Sequence, residues 1–159
     1  MKQPKFVEDE TFKKAEGEVR LAAYFARAFI KEVGKKKAMK VIGQAYEEYM
    51  VDEQGRRYKD VPSNPEARME ALANRFRQAA KDNPALTLKE LSPKRVAIEI
   101  HRCPVHEVYT KYGIGDVCQK YCDSDYPAAR AIHPKIALIR DKEIAYGAEY
   151  CNHSWVLEE

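Results

Sequence analysis

The hydrophobic positions of the first half of the chain recur every three or four residues, which is the spacing of amphipathic helices. The first such run predicts a helix over residues 10–33, and Gly34 is a suitable residue to end it. A second run predicts a helix over about 38–50. The polar stretch 52–65 is rich in turn-forming residues and is expected to be a loop. A third run, opened by a proline, predicts a helix over 65–82.

The hydrophobic period changes after Pro93, where apolar and polar residues alternate and predict a half-buried strand that runs up to Cys103. A short helix is expected to begin at Pro104 and a second short helix to follow it. Two further strands, at about 135–140 and 144–156, are predicted to form a hairpin.

These elements predict an α+β fold in which N-terminal helices pack on a small antiparallel sheet, with short helices between strands. Residues 1–92 are expected to form a helical lobe that serves as a scaffold and is available as a lid or an oligomer interface. Residues 93–159 are expected to form an α+β lobe that carries the site. A chain of 159 residues fits one compact domain that combines the two lobes. The sequence is also compatible with a homo-oligomer.

Composition excludes several classes of protein. Hydrophobic residues make up 45% and charged residues 33% of the chain, so disordered and low-complexity classes do not fit. A net charge of +3 is too small to indicate a nucleic-acid partner. The N-terminal segment turns acidic where a signal peptide would be apolar, and no long apolar run predicts a membrane partner. We therefore expect a cytoplasmic protein whose partner is a small-molecule substrate.

Cysteine and histidine are concentrated in the last third of the chain. All eight lie between positions 101 and 153, and we expect free thiols or ligands there because no secretion signal is evident. The eight residues are Cys103, Cys118, Cys122, Cys151, His101, His106, His133 and His153.

Cys103 directly precedes Pro104, and this order predicts Cys103 as the N-cap of a helix. Backbone N–H groups and the positive end of the helix dipole would stabilise a thiolate there, which makes Cys103 a candidate nucleophile. His106, three residues later, is a candidate base or ligand. The alternative is that Cys103 is a small buried apolar residue and His106 an ordinary helical side chain.

Cys118 and Cys122 are four residues apart, so they would share one face of a helix, and Asp125 would extend the row by three positions. Two thiols and one carboxylate in a single row are typical of a catalytic or ligand-binding site. The alternative is that Ser124 or Asp125 caps a new short helix, in which case Asp125 serves the backbone.

The odd-numbered residues Cys151, His153 and Trp155 would share one strand face, where they could line a substrate pocket with an aromatic wall. Gly147 is also odd-numbered, so it would lie on the same strand face, where the absence of a side chain would leave space for a ligand. The alternative is that Cys151 and Trp155 pack on the helices while His153 bonds a backbone carbonyl.

The stretch from Ile98 to Trp155 resembles the L-2-amino-thiazoline-4-carboxylic acid hydrolases. A strand leads into Cys103-Pro104, and a second motif runs from Cys118 and Cys122 to Asp125. Two strands follow, with a glycine four residues before Cys151. His153 stands where that family usually has an aromatic residue.

The resemblance implies hydrolytic opening of a cyclic amidine by attack on its C2 carbon, which would give an N-carbamoyl thiol amino acid. Asp125 would bind the protonated amidine through charge-assisted hydrogen bonds. Cys122 and Asp125 are the expected core pair, with Cys103 as a further catalytic candidate. The expected substrate-binding residues are Cys118, His106, Cys151, His153 and Trp155. No cofactor is expected in this interpretation.

Two alternatives remain at the level of sequence. In the first, Cys103, His106, Cys118, Cys122, Cys151 and His153 supply ligands for zinc, which thiolate and imidazole groups favour. In the second, the protein is a thiol redox or small-ligand sensor, with Cys118 and Cys122, or Cys103 and Cys151, cycling between thiol and disulfide.

Overall fold

A computed structural model describes residues 7–159, so part of the acidic N-terminal segment considered above, residues 1–6, lies outside the described residues. The fold is α+β, as predicted. The elements in chain order are α1 (Glu10–Val33), α2 (Lys35–Arg57), α3 (Pro65–Asp82), β1 (Leu86–Leu91), β2 (Arg95–Ile100), α4 (Pro104–Lys111), α5 (Val117–Asp123), α6 (Asp125–Ile132), β3 (Ile136–Ile139) and β4 (Cys151–Leu157).

Helices α1 and α3 have the predicted bounds, and local capping explains both. The Asp9 side chain accepts a hydrogen bond from the N–H of Phe12 at 2.9 Å at the start of α1. At the start of α3, the Asn64 side chain likewise accepts a hydrogen bond from the N–H of Ala67 at 2.8 Å. These bonds satisfy N–H groups that have no partner inside the helix.

Helix α2 is longer than predicted. It continues through residues 51–57, most of which the sequence analysis assigned to a loop. Apart from Gly55 these residues tolerate a helix well, and Gln54 is buried, because α2 packs against α5 and α6. Tertiary packing therefore extends the helix beyond the point where its apolar pattern ends.

The four strands form one antiparallel sheet in the order β1-β2-β4-β3. The predicted hairpin of β3 and β4 is confirmed, but its second strand begins only at Cys151. Residues 144–146 instead form a short 3-10 turn, and Gly147 follows it at φ 94°, outside any strand. Strand β1 was not predicted. It lies before residue 93 and pairs with β2, so the two predicted lobes share the sheet.

Helices α3 and α6 pack against the sheet, and their apolar side chains form the larger core. A second core lies between α1, α4 and α5 and contains Cys118 and Cys122. No helix within residues 7–159 is both long and apolar enough to cross a lipid bilayer.

Candidate functional site

A fully buried guanidinium organises the polar residues at the end of β3. Arg140 Nη1 donates to Asp125 Oδ2 at 2.9 Å and lies 3.1 Å from His153 Nε2. Its Nη2 donates to the carbonyl oxygen of Cys122 at 2.7 Å. One side chain thus connects the end of α5, the start of α6 and β4.

Two carboxylates balance the buried charge of Arg140. Asp125 forms an ion pair with it, and Glu143 Oε1 lies 3.0 Å from its Nε. Burial by itself lowers the pKa of Arg140, but the charges of Asp125 and Glu143 outweigh burial and raise it. Burial also raises the pKa of Glu143, although Arg140 opposes this. Arg140 is therefore a cation held in place from two sides.

His153 completes this cluster. A guanidinium can only donate, so His153 Nε2 must accept from Arg140, and we assign the ring proton to Nδ1. His153 is 7% exposed, and within residues 7–159 its Nδ1 has no hydrogen-bond partner. The bond to Arg140 also means that His153 does not serve a backbone carbonyl. A buried donor is thus left available to a ligand.

A cavity of about 210 Å³ lies beside this cluster. Asp125, His153 and Trp155 line it, whereas Cys151, which was expected beside His153 and Trp155, does not, and the ring centroids of His153 and Trp155 stack 5.5 Å apart. The carboxylate of Asp125 uses only Oδ2 for Arg140, and Oδ1 makes no hydrogen bond within the described part of the chain. The cavity thus combines an available carboxylate oxygen with an apolar wall.

The cysteines lie close together, but none of the four lines this cavity. Cys118 is fully buried on α5, and hydrogen bonds to Cys103 and then to Cys122 raise its pKa. Cys118 therefore stays protonated, and its single S–H proton can be donated to only one of these two sulfurs at a time. The predicted shared face of Cys118 and Cys122 is confirmed, because both lie on α5 and are buried.

Cys103 is the N-cap of α4, as predicted. Its sulfur accepts from the N–H of His106 at 3.4 Å. The hydrogen bond from Cys118 lowers the pKa of Cys103, and the His106 N–H adds to this, whereas burial opposes it. Cys151 behaves oppositely, since burial raises its pKa to about 11 despite a bond from the N–H of Ile144 at 3.2 Å.

This difference predicts which thiol reacts first with an alkylating reagent. The folded pKa of Cys103 lies below the ordinary value and that of Cys151 above it, so at pH 8 Cys103 should be alkylated while Cys151 is spared. Mass spectrometry of peptides after brief iodoacetamide treatment at pH 6 to 10 measures this order. Faster modification of Cys151 at any pH in this range would contradict it.

The predicted helical row that ends at Asp125 and the predicted capping role of Ser124 both need correction. Asp125 is not on the helix of Cys118 and Cys122, because α5 ends at Asp123 and Asp125 begins α6. The two helices meet at Ser124, whose hydroxyl donates to the Tyr121 carbonyl instead of capping α6. The new short helix considered as an alternative is therefore present, but the carboxylate of Asp125 serves Arg140.

His106 lies apart from the Arg140 cluster. It is half-buried on α4, and burial lowers the pKa of its ring. It supports Cys103 through its backbone N–H, and the described contacts give its ring no part in the cavity.

The sequence analysis missed Arg140 and Glu143. Arg140 directly follows a short apolar strand, and its neighbours Asp141 and Lys142 suggested an ordinary surface turn. An arginine is rarely buried unless it is paired, and its partners lie 15 residues before and 13 residues after it. No local pattern identifies such a residue.

Loss of the Arg140 charge should destabilise the fold. In Arg140→Met the partly buried carboxylates of Asp125 and Glu143 lose their counter-ion, so the free energy of unfolding should fall by about 3 kcal/mol. Arg130→Met is the matched control, because Arg130 pairs with Glu158 at the surface, where such a pair contributes at most about 1 kcal/mol. Urea denaturation of both variants measures the difference, and equal losses would contradict the prediction.

No group of three or more His, Cys, Asp or Glu side chains in residues 7–159 is arranged to hold a metal ion. The ligands suggested for zinc are divided between the cysteine cluster and the Arg140 cluster. In the latter, His153 Nε2 already accepts from a guanidinium.

Comparison with known proteins adds one finding. The sequence model of the family described as L-2-amino-thiazoline-4-carboxylic acid hydrolase matches residues 14–155. A search of curated proteins finds no match. The family match spans all the candidate residues, and it includes most of the N-terminal helices as well as the last third.

Proposed function

Since this chain belongs to the L-2-amino-thiazoline-4-carboxylic acid hydrolase family, we propose that it hydrolyses a 2-amino-thiazoline-4-carboxylate by attack on C2 in the cavity beside Asp125. The observation that carries this proposal is the carboxylate of Asp125, which is held by Arg140 and keeps one oxygen available in a largely apolar cavity. That environment suits a small cationic ring.

The size of the cavity supports a small substrate. Sites for drug-sized ligands have volumes of about 300–1,000 Å³, and this cavity has about 210 Å³. A five-membered ring with one amino and one carboxylate substituent is of the appropriate size. Trp155 and Phe76 pack on each other with their ring centroids 4.9 Å apart, and together they offer an apolar wall for one face of the substrate ring.

Asp125 acts on the amidine in this proposal. The C2 carbon of the ring is bonded to two nitrogens and one sulfur, and protonation of the amidine makes it more electrophilic. Asp125 Oδ1 accepts a hydrogen bond from the protonated amidine and increases its protonated fraction. Arg140 is a positioning residue, because it fixes Oδ2 and so orients the other oxygen.

Cys122 is the proposed nucleophile, and because its sulfur lies outside the cavity wall, attack on C2 requires that sulfur to move toward the cavity when the substrate binds. It precedes Asp125 by three residues, and the same guanidinium holds its carbonyl oxygen. The charge of Cys122 also contributes to the raised pKa of Arg140, after the larger effects of Asp125, Glu143 and Tyr126. Cys103 is the second candidate, because its pKa is lowered.

The reaction balances with water as the only co-reactant. The thiolate forms a bond to C2, the bond from C2 to the ring sulfur breaks, and the ring sulfur leaves with the electron pair and takes a proton. Water then adds to C2 and the enzyme thiol leaves, so the product is an N-carbamoyl amino acid with a free thiol. His153 lines the cavity and its Nδ1 has no partner within residues 7–159, so in this proposal Nδ1 donates to an acceptor of the bound substrate.

Incubation of the purified protein with L-2-amino-thiazoline-4-carboxylate tests this proposal. The substrate has no thiol and the product has one, so a chromogenic disulfide reagent should detect one new thiol per ring opened, after subtraction of the protein's own four cysteines. The product mass should exceed that of the substrate by one water. Absence of new thiol at high protein concentration would reject the proposal.

A further inference from the structure

A second charged residue lines the cavity that contains Asp125. Arg75, on α3, contributes to its wall together with Gln54 and Tyr121. The Arg75 residue as a whole is exposed, but its guanidinium is partly desolvated beside the Tyr58 hydroxyl, and within residues 7–159 it forms no ion pair with a carboxylate. The cavity therefore has a negative group that Arg140 balances and a positive group that no carboxylate balances.

A further cation lies near Arg75. Arg57 is the last residue of α2 and lies 3.4 Å from the side-chain oxygen of Gln54, which lines the cavity. Burial lowers the pKa of Arg75, and the neighbouring charge of Arg57 lowers it further. Repulsion between the two guanidinium groups raises the free energy of the empty site, and a bound anion would offset that repulsion.

We propose that Arg75 binds the carboxylate of the substrate, so that the cavity selects small rings that carry a carboxylate as well as a cationic amidine. The carboxylate contact follows from the position of Arg75 in the cavity wall and from its lack of a carboxylate partner within residues 7–159, whereas the choice of a thiazoline ring rests on the proposed function. Arg57 strengthens the site by adding positive charge without lining the cavity. A planar guanidinium also matches a carboxylate with two parallel hydrogen bonds.

Binding of two unreactive rings tests this inference independently of turnover. Thiazolidine-4-carboxylate has the ring and the carboxylate but no amidine carbon to attack, and thiazolidine lacks the carboxylate. By isothermal titration calorimetry, the protein should bind thiazolidine-4-carboxylate at least 10-fold more tightly than thiazolidine. Arg75→Gln should weaken binding of the carboxylate about 10-fold and leave that of thiazolidine unchanged.

Arg77→Gln is the matched control. Arg77 lies on the same helix, bonds Asn74 at the surface and does not line the cavity, so its loss changes the net charge equally without removing the contact. Its affinity for both rings should equal that of the unchanged protein. Arg75→Lys should retain part of the preference, because it keeps the charge but loses the planar pair of donors.

The outcomes separate this inference from the proposed function. If the protein does not prefer the carboxylate ring, or if Arg75→Gln binds it as tightly as before, the inference is wrong even where the thiazoline is hydrolysed. If the preference depends on Arg75 but no thiazoline is opened, the carboxylate contact is supported and the proposed function is wrong.

Discussion

Cys122→Ser should reduce kcat for opening of the thiazoline ring by about 1,000-fold or more. A serine hydroxyl at this position is a far weaker nucleophile than a thiolate near the Arg140 guanidinium, so loss of the sulfur removes the covalent step. Cys122 is 8% exposed and serine is slightly smaller, so the variant should remain folded. Release of free thiol under substrate saturation measures kcat, and circular dichroism checks the fold.

Cys103→Ser distinguishes the two candidate thiols. Cys103 has the lowered pKa, but it is the N-cap of α4, whereas Cys122 is held by Arg140 through its carbonyl oxygen. We expect a smaller loss of activity in this variant than in Cys122→Ser. If the larger loss follows Cys103, or if Cys122→Ser turns over at the normal rate, Cys122 is not the nucleophile.

Asp125→Asn should reduce kcat/KM by about 100- to 1,000-fold. An amide cannot pair with the positive charge of the amidine, and preorganised groups that stabilise charge at a reacting centre contribute about this much. An asparagine oxygen can still accept from Arg140, and Glu143 still balances its charge, so the fold should persist. Steady-state kinetics and the thermal unfolding midpoint measure the two effects.

Asp123→Asn is the control for this variant. Asp123 is two residues away and carries the same charge, but it accepts from Lys120 and from Tyr146 and does not line the cavity. Its kcat/KM should stay within about 3-fold of the unchanged protein, since it makes no contact with the reacting atoms. Equal losses in the two variants would show that a general charge effect, and not the Asp125 contact, explains the result.

The N-terminal helices and the capping of α4 were predictable because they depend on residues close in sequence. Periodicity and a side-chain cap define α1 and α3, and a proline after Cys103 is enough to place the start of α4. Strand β1 was missed because six residues give a weak alternation beside a helix. The end of α2 was misplaced because its last turns are stabilised by packing against α6 and not by their own pattern.

The candidate site divides in the same way. The face shared by Cys151, His153 and Trp155 was predictable from strand alternation, and the burial of all three along β4 confirms it. The structure places Asp125 and His153 in the wall of one cavity, although they lie on different elements. That the four sulfurs lie outside this cavity was not predictable, because it depends on how α5 packs between α1 and α4.

The sequence by itself determined the α+β class, the amphipathic helices and the concentration of thiols and imidazoles in the last third, since each depends on composition or on residues a few positions apart. Only the tertiary structure decided that Arg140 joins Cys122, Asp125 and His153. It also decided that Arg75, on α3, lines the same cavity as Asp125, which lies some fifty residues later in the chain. The physical reason is that a buried charge must find its counter-charges in space, and their positions depend on the packing of elements distant in the chain.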